Sequence, residues 1–149
     1  MALFDIDFPE DFLSELLETD FDAIAEEALK DVAPVLEKSM KQSCQRAIRH
    51  EGDSELVNSI KSSNPKKTKT DAWIVNVFPS GYSKKKIYRA GKGGKRKYPV
   101  SNALKAIWME YGIAGRQAPR PFIRTACNNV RGTILARMQE VYEKKVGMK

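Results

Sequence analysis

The sequence predicts an α+β domain in which long helices pack on one face of a small antiparallel sheet that carries a basic hairpin. Three observations support this. Two long segments, about 22–50 and 121–145, carry apolar residues at helical spacing. A short segment, 73–78, alternates like a strand and is followed by the turn residues Pro79-Ser80-Gly81. The order of elements is helix, helix, hairpin, helix, helix, with no internal repeat.

The elements follow in chain order. Residues 1–20 form an acidic, amphipathic N-terminal segment, set apart from a single domain over 21–149. Leu3, Phe4, Ile6 and Phe8 precede Pro9. Phe12, Leu13, Leu16 and Leu17 then follow helical spacing with acids on the other face, and Asp7 is the candidate N-cap. In the second helix the stripe is Ile24, Ala28, Val32, Leu36, Met40, Cys44, Ala47 and Ile48. Pro34 either kinks this helix or sits in the first turn of a new one. Gly52 is placed to end it.

Residues 53–60 read as one or two helical turns or as an extended lead-in. Residues 61–70 (KSSNPKKTKT) read as a loop. The strand at Trp73–Phe78 is answered by a returning strand at Lys86–Ala90, and GKGGKRK at 91–97 reads as a mobile loop. Val100, Ala103, Leu104, Ile107, Trp108 and Tyr111 give a third helix that stops at Gly112. The last helix carries Ile123, Cys127, Val130, Ile134, Met138 and Val141 as its stripe, and Pro121 suits its first position.

The chain has 149 residues, enough for one core, and a net charge of +7 that is unevenly spread. Residues 1–27 carry ten acids and no Lys or Arg; residues 28–60 balance at five of each; residues 61–149 carry 21 bases and four acids. No stretch reaches the roughly 18–20 apolar residues that span a bilayer, so no membrane partner is expected. The first residues lack the basic flank and apolar run of a signal peptide, so synthesis in a cytoplasm is expected. Two cysteines, Cys44 and Cys127, make neither a disulfide framework nor a four-ligand zinc site. Both fall on apolar stripes, which points to core packing. With His50 the single histidine, any histidine-dependent catalysis would have to run through it. Asp31, Glu37, Asp53 and Glu55 have no diagnostic spacing. Lys95 is followed by Arg96 rather than Ser or Thr, so the glycine-rich run fails the phosphate-loop pattern. The expectation is a protein with no cofactor, metal or catalytic residues.

The basic half is more informative. Lys84, Lys85, Lys86, Arg89, Lys92, Lys95, Arg96 and Lys97 gather in one hairpin region, interleaved with Tyr82, Tyr88 and Tyr98. This composition suits a nucleic-acid backbone, and suits an acidic protein surface equally. A solvated loop is the simpler alternative. Arg116, Arg120, Arg124 and Arg131 form a second group, the last two sharing a helix face. The acidic head either folds onto its own domain or docks on the basic part of a neighbouring copy, a head-to-tail contact of the kind that closes rings.

Three segments resemble a phage morphogenesis family. They are Gly52-Asp53-Ser54-Glu55-Leu56-Val57-Asn58-Ser59-Ile60, then Glu110-Tyr111-Gly112, then Ala118-Pro119-Arg120-Pro121-Phe122-Ile123-Arg124-Thr125-Ala126. The family is that of the neck, tail-completion or head–tail joining proteins of long-tailed double-stranded DNA phages, and the resemblance runs over about residues 20–145. Glu51 stands where the family usually has Thr, and the helix expected before Glu110 departs from its extended pattern. The resemblance implies a structural protein of the virion, at the head–tail junction or tail end, assembled in the host cytoplasm. The implied partners are other neck and tail proteins, further copies in a ring, and packaged DNA. A stand-alone basic nucleic-acid-binding protein is the alternative. On this reading Lys84, Lys85, Lys86, Arg89, Lys95, Arg96 and Lys97 contact DNA or an acidic partner. Arg120, Phe122, Arg124 and Arg131 form the subunit interface. Pro119 and Pro121 hold an extended approach that delivers Phe122 into the core.

Overall fold

A computed structural model describes residues 20–49, 54–91 and 94–147, and for residues 85–98 the backbone alone. The N-terminal segment up to Thr19, His50, Gly52 and Asp53 therefore lie outside the described residues. The architecture is α+β, with two long helices and short antiparallel ribbons.

Helix α1 spans Phe21–Ala47 and helix α4 spans Phe122–Val146. They run antiparallel, as their contacts show. Ser39 Oγ donates to Ala126 O at 3.1 Å, Arg137 reaches Asp31 at 3.5 Å, and Lys145 reaches Glu27 at 2.8 Å. Asp20 is the N-cap of α1, its side chain accepting from Ala23 N at 3.0 Å. The expected stripe holds, with Ile24, Ala28, Val32, Met40 and Cys44 buried and Leu36 part-buried. Pro34 is exposed and the helix runs through it. It ends at Ala47, with Ile48 as its C-cap, so Gly52 is not its stop.

On α4 the stripe is displaced by one residue at its start. Phe122 and Ala126 are buried, Cys127 is exposed, and Val130, Ile134, Met138 and Val141 are part-buried. The expectation of two core cysteines is thus right for Cys44 and wrong for Cys127. Ala126 and Cys127 are both small and apolar, and the approach of α1 at Ser39 selects Ala126.

Between the long helices lie α2 (Ser54–Ser59), β1 (Ile60–Ser62), β2 (Lys66–Lys67), β3 (Trp73–Ile74), β4 (Val77–Pro79), β5 (Tyr82–Gly91), β6 (Gly94–Ser101) and α3 (Asn102–Tyr111). The expected small sheet is three antiparallel two-stranded ribbons, β1–β4, β2–β3 and β5–β6. The stretch read as the 61–70 loop contributes strand residues to β1 and β2, because backbone pairing there does not need apolar side chains. The expected strand at 73–78 breaks at Val75 and Asn76 and pairs with β2 on one side of the break and β1 on the other. At its tip Asp71 adopts a left-handed conformation (φ 62°), which Asp tolerates, and its N–H donates to Thr68 O at 3.2 Å.

The hairpin is likewise re-paired. Lys86–Ala90 is a strand as expected, but its partner is β6, not the strand at 73–78. Residues 94–97 of the expected loop belong to β6. Val100 is a buried strand residue, and α3 starts after Ser101, whose side chain accepts from Leu104 N at 3.1 Å. The expected stripe of α3 is reversed. Ala103, Ile107 and Tyr111 are exposed, Leu104 and Trp108 part-buried, and the inward face carries Asn102, Lys105, Ala106, Met109 and Glu110.

The core gathers at the end of the helix pair where α1 finishes and α4 begins. It comprises Met40, Cys44, Leu56, Ile60, Ala106, Met109, Phe122 and Ala126. Glu37 ties β1 to α1. Its carboxylate accepts from Ser62 N at 2.8 Å and Ser62 Oγ at 2.7 Å, and pairs with Lys41 at 2.6 Å. The Lys41 bond, then the Ser62 hydroxyl and amide, lower its pKa from 4.5 to about 2 against the cost of burial. A depressed carboxylate pKa contributes stability that is complete above pH 4.5 and is lost as pH falls toward 2. Glu37→Gln is expected to lower stability by about 1–2 kcal/mol at pH 7, part of the full shift because solvent still screens the carboxylate. Acid unfolding curves should show the variant losing less stability than the parent between pH 4.5 and 2; equal losses would reject this role.

Candidate functional site

The three motif segments meet at the core. Leu56 and Ile60, from the first, are fully buried and touch the same cluster as Phe122 from the third. Ser59 of that segment bonds Leu56 O at 2.7 Å and its own carbonyl accepts from Ser80 N at 2.9 Å, which fixes the end of β4.

Glu110, from the second segment, acts on α4. Pro121 is the N-cap of α4 and offers no side-chain cap. The first amides of a helix lack internal partners, and a carboxylate there is favoured by their aligned dipoles. Glu110 supplies it from α3, accepting from Ile123 N at 2.8 Å and Arg124 N at 3.1 Å. Gly112 follows at φ 77°, and the loop from 113 to 121 folds back on the helix ends. Arg120 N donates to Met109 O at 2.7 Å and Gln117 Nε2 to Trp108 O at 3.2 Å, which satisfies carbonyls at the end of α3. Arg120 Nη1 donates to Ala47 O at 2.6 Å, the last residue of α1. The loop therefore caps the ends of α1 and α3, while Glu110 of α3 caps α4.

This placement divides the expected interface residues. Phe122 is 1% exposed, in the core where the proline-bracketed approach was expected to deliver it, and it offers no surface to a partner. Arg120 is half-buried and spends its guanidinium on α1. Arg124 and Arg131 are exposed along α4, seven residues apart, and share its outer face. The role of Glu110 in capping α4 was not legible beforehand, because the two groups are separated by a loop whose path the sequence leaves open.

The basic hairpin is the second site. Residues 82–101 hold eight Lys and Arg and no Asp or Glu. The register sets Arg89 opposite Arg96, Tyr88 opposite Lys97 and Ala90 opposite Lys95. The backbone register thus places two arginines at directly opposed positions of the ribbon. At the base, Glu55 anchors β5 by accepting from Ser83 Oγ at 3.1 Å and Lys84 N at 3.2 Å, and these bonds hold its carboxyl below the usual range, with the Lys84 amide first and the Ser83 hydroxyl second. Asn102 joins the base to the other ribbons through Ser80 O at 2.8 Å and Gly81 O at 3.0 Å. Lys84 is exposed; Lys85, Lys86, Arg89, Lys95, Arg96 and Lys97 are placed in β5 and β6 by backbone alone.

The carboxylates considered for catalysis have separate structural partners: Asp31 with Arg137, Glu37 with Ser62, and Glu55 with β5. Among the described residues no group of three His, Cys, Asp or Glu is arranged to hold a metal ion, and no helix is long and apolar enough to cross a membrane.

Residues 10–112 match the HK97 gp10-like family, described as "Bacteriophage HK97-gp10, putative tail-component". The chain belongs to this family. As a member of the HK97 gp10-like family it is a phage tail component, and its place is in the virion among other tail proteins. The match includes the first two motif segments and ends at Gly112, so the Pro119–Ala126 segment lies beyond it. It also crosses the expected boundary between residues 20 and 21. No curated protein and no solved structure matches the chain at a significant level.

Proposed function

We propose that this HK97 gp10-like protein is a non-enzymatic assembly protein at the head–tail junction or the head-proximal end of the tail. It joins other neck and tail proteins as a ring, and its hairpin faces an anionic surface. The observation that carries the reading is the hairpin itself: eight positive charges, no negative one, in a family of phage tail components. The paired Arg89 and Arg96 and the neighbouring Lys95 and Lys97 form its most concentrated part. The anion is DNA passing along the channel or an acidic neighbour. Arg124 and Arg131, exposed on α4, supply contacts to an adjoining subunit, and Phe122 and Arg120 act by setting the position of that helix.

The test is complementation of a phage lacking this gene. Changing Arg89, Lys95, Arg96 and Lys97 together to Ala should leave the isolated protein folded and leave heads and tails unjoined or tails incomplete. Normal virion yield would reject the hairpin's role. The isolated protein should bind duplex DNA weakly. Nanomolar binding at physiological salt, with a log–log salt slope approaching about −7 for eight neutralised phosphates, would favour the stand-alone nucleic-acid-binding alternative.

A further inference from the structure

Among the described residues the ribbon β5–β6 pairs with no other strand. Two strands alone are marginally stable, and an unpaired strand edge is a template for another chain. The register shows which edge is open. In an antiparallel ribbon, opposed residues alternate between exchanging both backbone bonds and exchanging none. Lys86 lies opposite Pro99, and Pro99 has no N–H to give, so this pair belongs to the second class. Counting on, Tyr88 with Lys97 and Ala90 with Lys95 belong to it too, while Ile87 with Tyr98, Arg89 with Arg96 and Gly91 with Gly94 bond each other. A bonded pair of Gly91 and Gly94 is also what a connection of two residues requires. The amides and carbonyls of Lys86, Tyr88 and Ala90 therefore point away from β6, along the free edge of β5. The matching edge of β6 holds Lys95, Lys97 and Pro99, and the proline breaks its row of donors. At the base of β5 Glu55 takes the Lys84 amide at 3.2 Å, so the open stretch begins beyond it.

We infer that the β5 edge from Lys86 to Ala90 receives an extended, acidic strand of a partner protein, which adds to the ribbon as a third strand. The inference rests on the reading that the hairpin faces an anionic surface, and it selects protein over DNA. The backbone gives the first reason. The edge offers donors and acceptors in equal number, and a strand answers both. Duplex phosphates only accept, and leave the carbonyls of Lys86, Tyr88 and Ala90 without partners. Charge gives the second reason. Residues 82–101 hold eight Lys and Arg and no Asp or Glu, so a strand rich in Asp or Glu is matched. A second copy is not this partner, because its own β5 is equally basic and would set like charges side by side. From Lys86 to Ala90 the edge runs about 14 Å, the length of a five-residue strand.

Proline at an outward position tests the inference, because it deletes one edge donor while keeping the ribbon's own bonds and all eight charges. Tyr88→Pro should abolish head–tail joining in complementation, while Tyr88→Val, which retains the amide, should support it. Amide exchange on the isolated Tyr88→Pro chain should keep its protection at Arg89 and Arg96. Should that protection be lost, Ala90→Pro against Ala90→Val replaces the pair. In the unaltered chain the amides of Ile87, Arg89, Arg96 and Tyr98 should exchange at least about tenfold more slowly than those of Lys86, Tyr88 and Ala90. Equal or reversed rates overturn the edge assignment. Normal joining with the proline variant overturns the inference and leaves a contact made by charge alone, as with DNA. Loss of joining with the valine variant overturns it too. The charge contact itself stands or falls separately, with the alanine variant of Arg89, Lys95, Arg96 and Lys97.

Discussion

Phe122→Ala is expected to cost about 3–5 kcal/mol of unfolding free energy. The ring is 1% exposed and is the largest fully buried side chain among the described residues. It touches the cluster formed by Met40 and Cys44 of α1, Leu56 of α2, Ile60 of β1 and Met109 of α3. Five elements thus share one side chain, and the cavity left by Ala has few ways to collapse because each wall belongs to a different element. Phe122→Leu, which retains most of the volume, should cost under about 1.5 kcal/mol. Urea unfolding measures both. At this chain length each kcal/mol corresponds to roughly 2–4 °C in Tm. A loss below about 1 kcal/mol for the Ala variant would mean that the cluster is not the organising core.

Gly112→Ala is expected to cost about 2–5 kcal/mol, from two sources. The backbone at Gly112 has φ 77° and ψ −176°, a region that is essentially reserved for glycine. A Cβ there would also stand 2.6 Å from Gln117 O and 2.9 Å from Pro119 N, and both are backbone atoms that cannot rotate away. Moving them would displace the loop that caps α1 and α3 and leads into α4. Gly115 supplies the control. It has φ 69° with nothing within 4 Å of an added Cβ, so Gly115→Ala should cost only about 1 kcal/mol, the conformational share. Equal losses at the two glycines would remove the steric part of the explanation.

The consequence for assembly runs through α4. Its outer face carries Arg124 and Arg131, and its start is positioned by Glu110, Arg120 and Phe122. Variants at these three residues should therefore impair joining in proportion to lost stability. Arg124→Ala and Arg131→Ala should impair it with stability unchanged.

Legibility followed burial. The α1 stripe from Ile24 to Cys44 was readable because one helix face is buried along almost its whole length. In the hairpin, Lys86–Ala90 was legible as a strand but β6 and its pairing were not, since the repeated lysines mask any alternation of apolar residues and backbone pairing leaves no trace in composition. On α3 the apolar residues Ile107 and Tyr111 pointed to the wrong face. The inward face holds Lys105 and Glu110, and a buried carboxylate is tolerated there because two helix amides satisfy it.

The sequence by itself determined the fold class, the two long helices, the family and the separation of an acidic head from a basic hairpin. These depend on local periodicity, motif spacing and charge count, which survive without coordinates. Only the tertiary structure decided that Glu110 caps α4, that Arg120 closes α1, that Ala126 rather than Cys127 faces inward, and that Arg89 lies opposite Arg96. Each of these is a contact between segments distant in the chain or a choice between neighbouring faces. Such choices are set by how the elements pack together, and packing is a property of the whole chain.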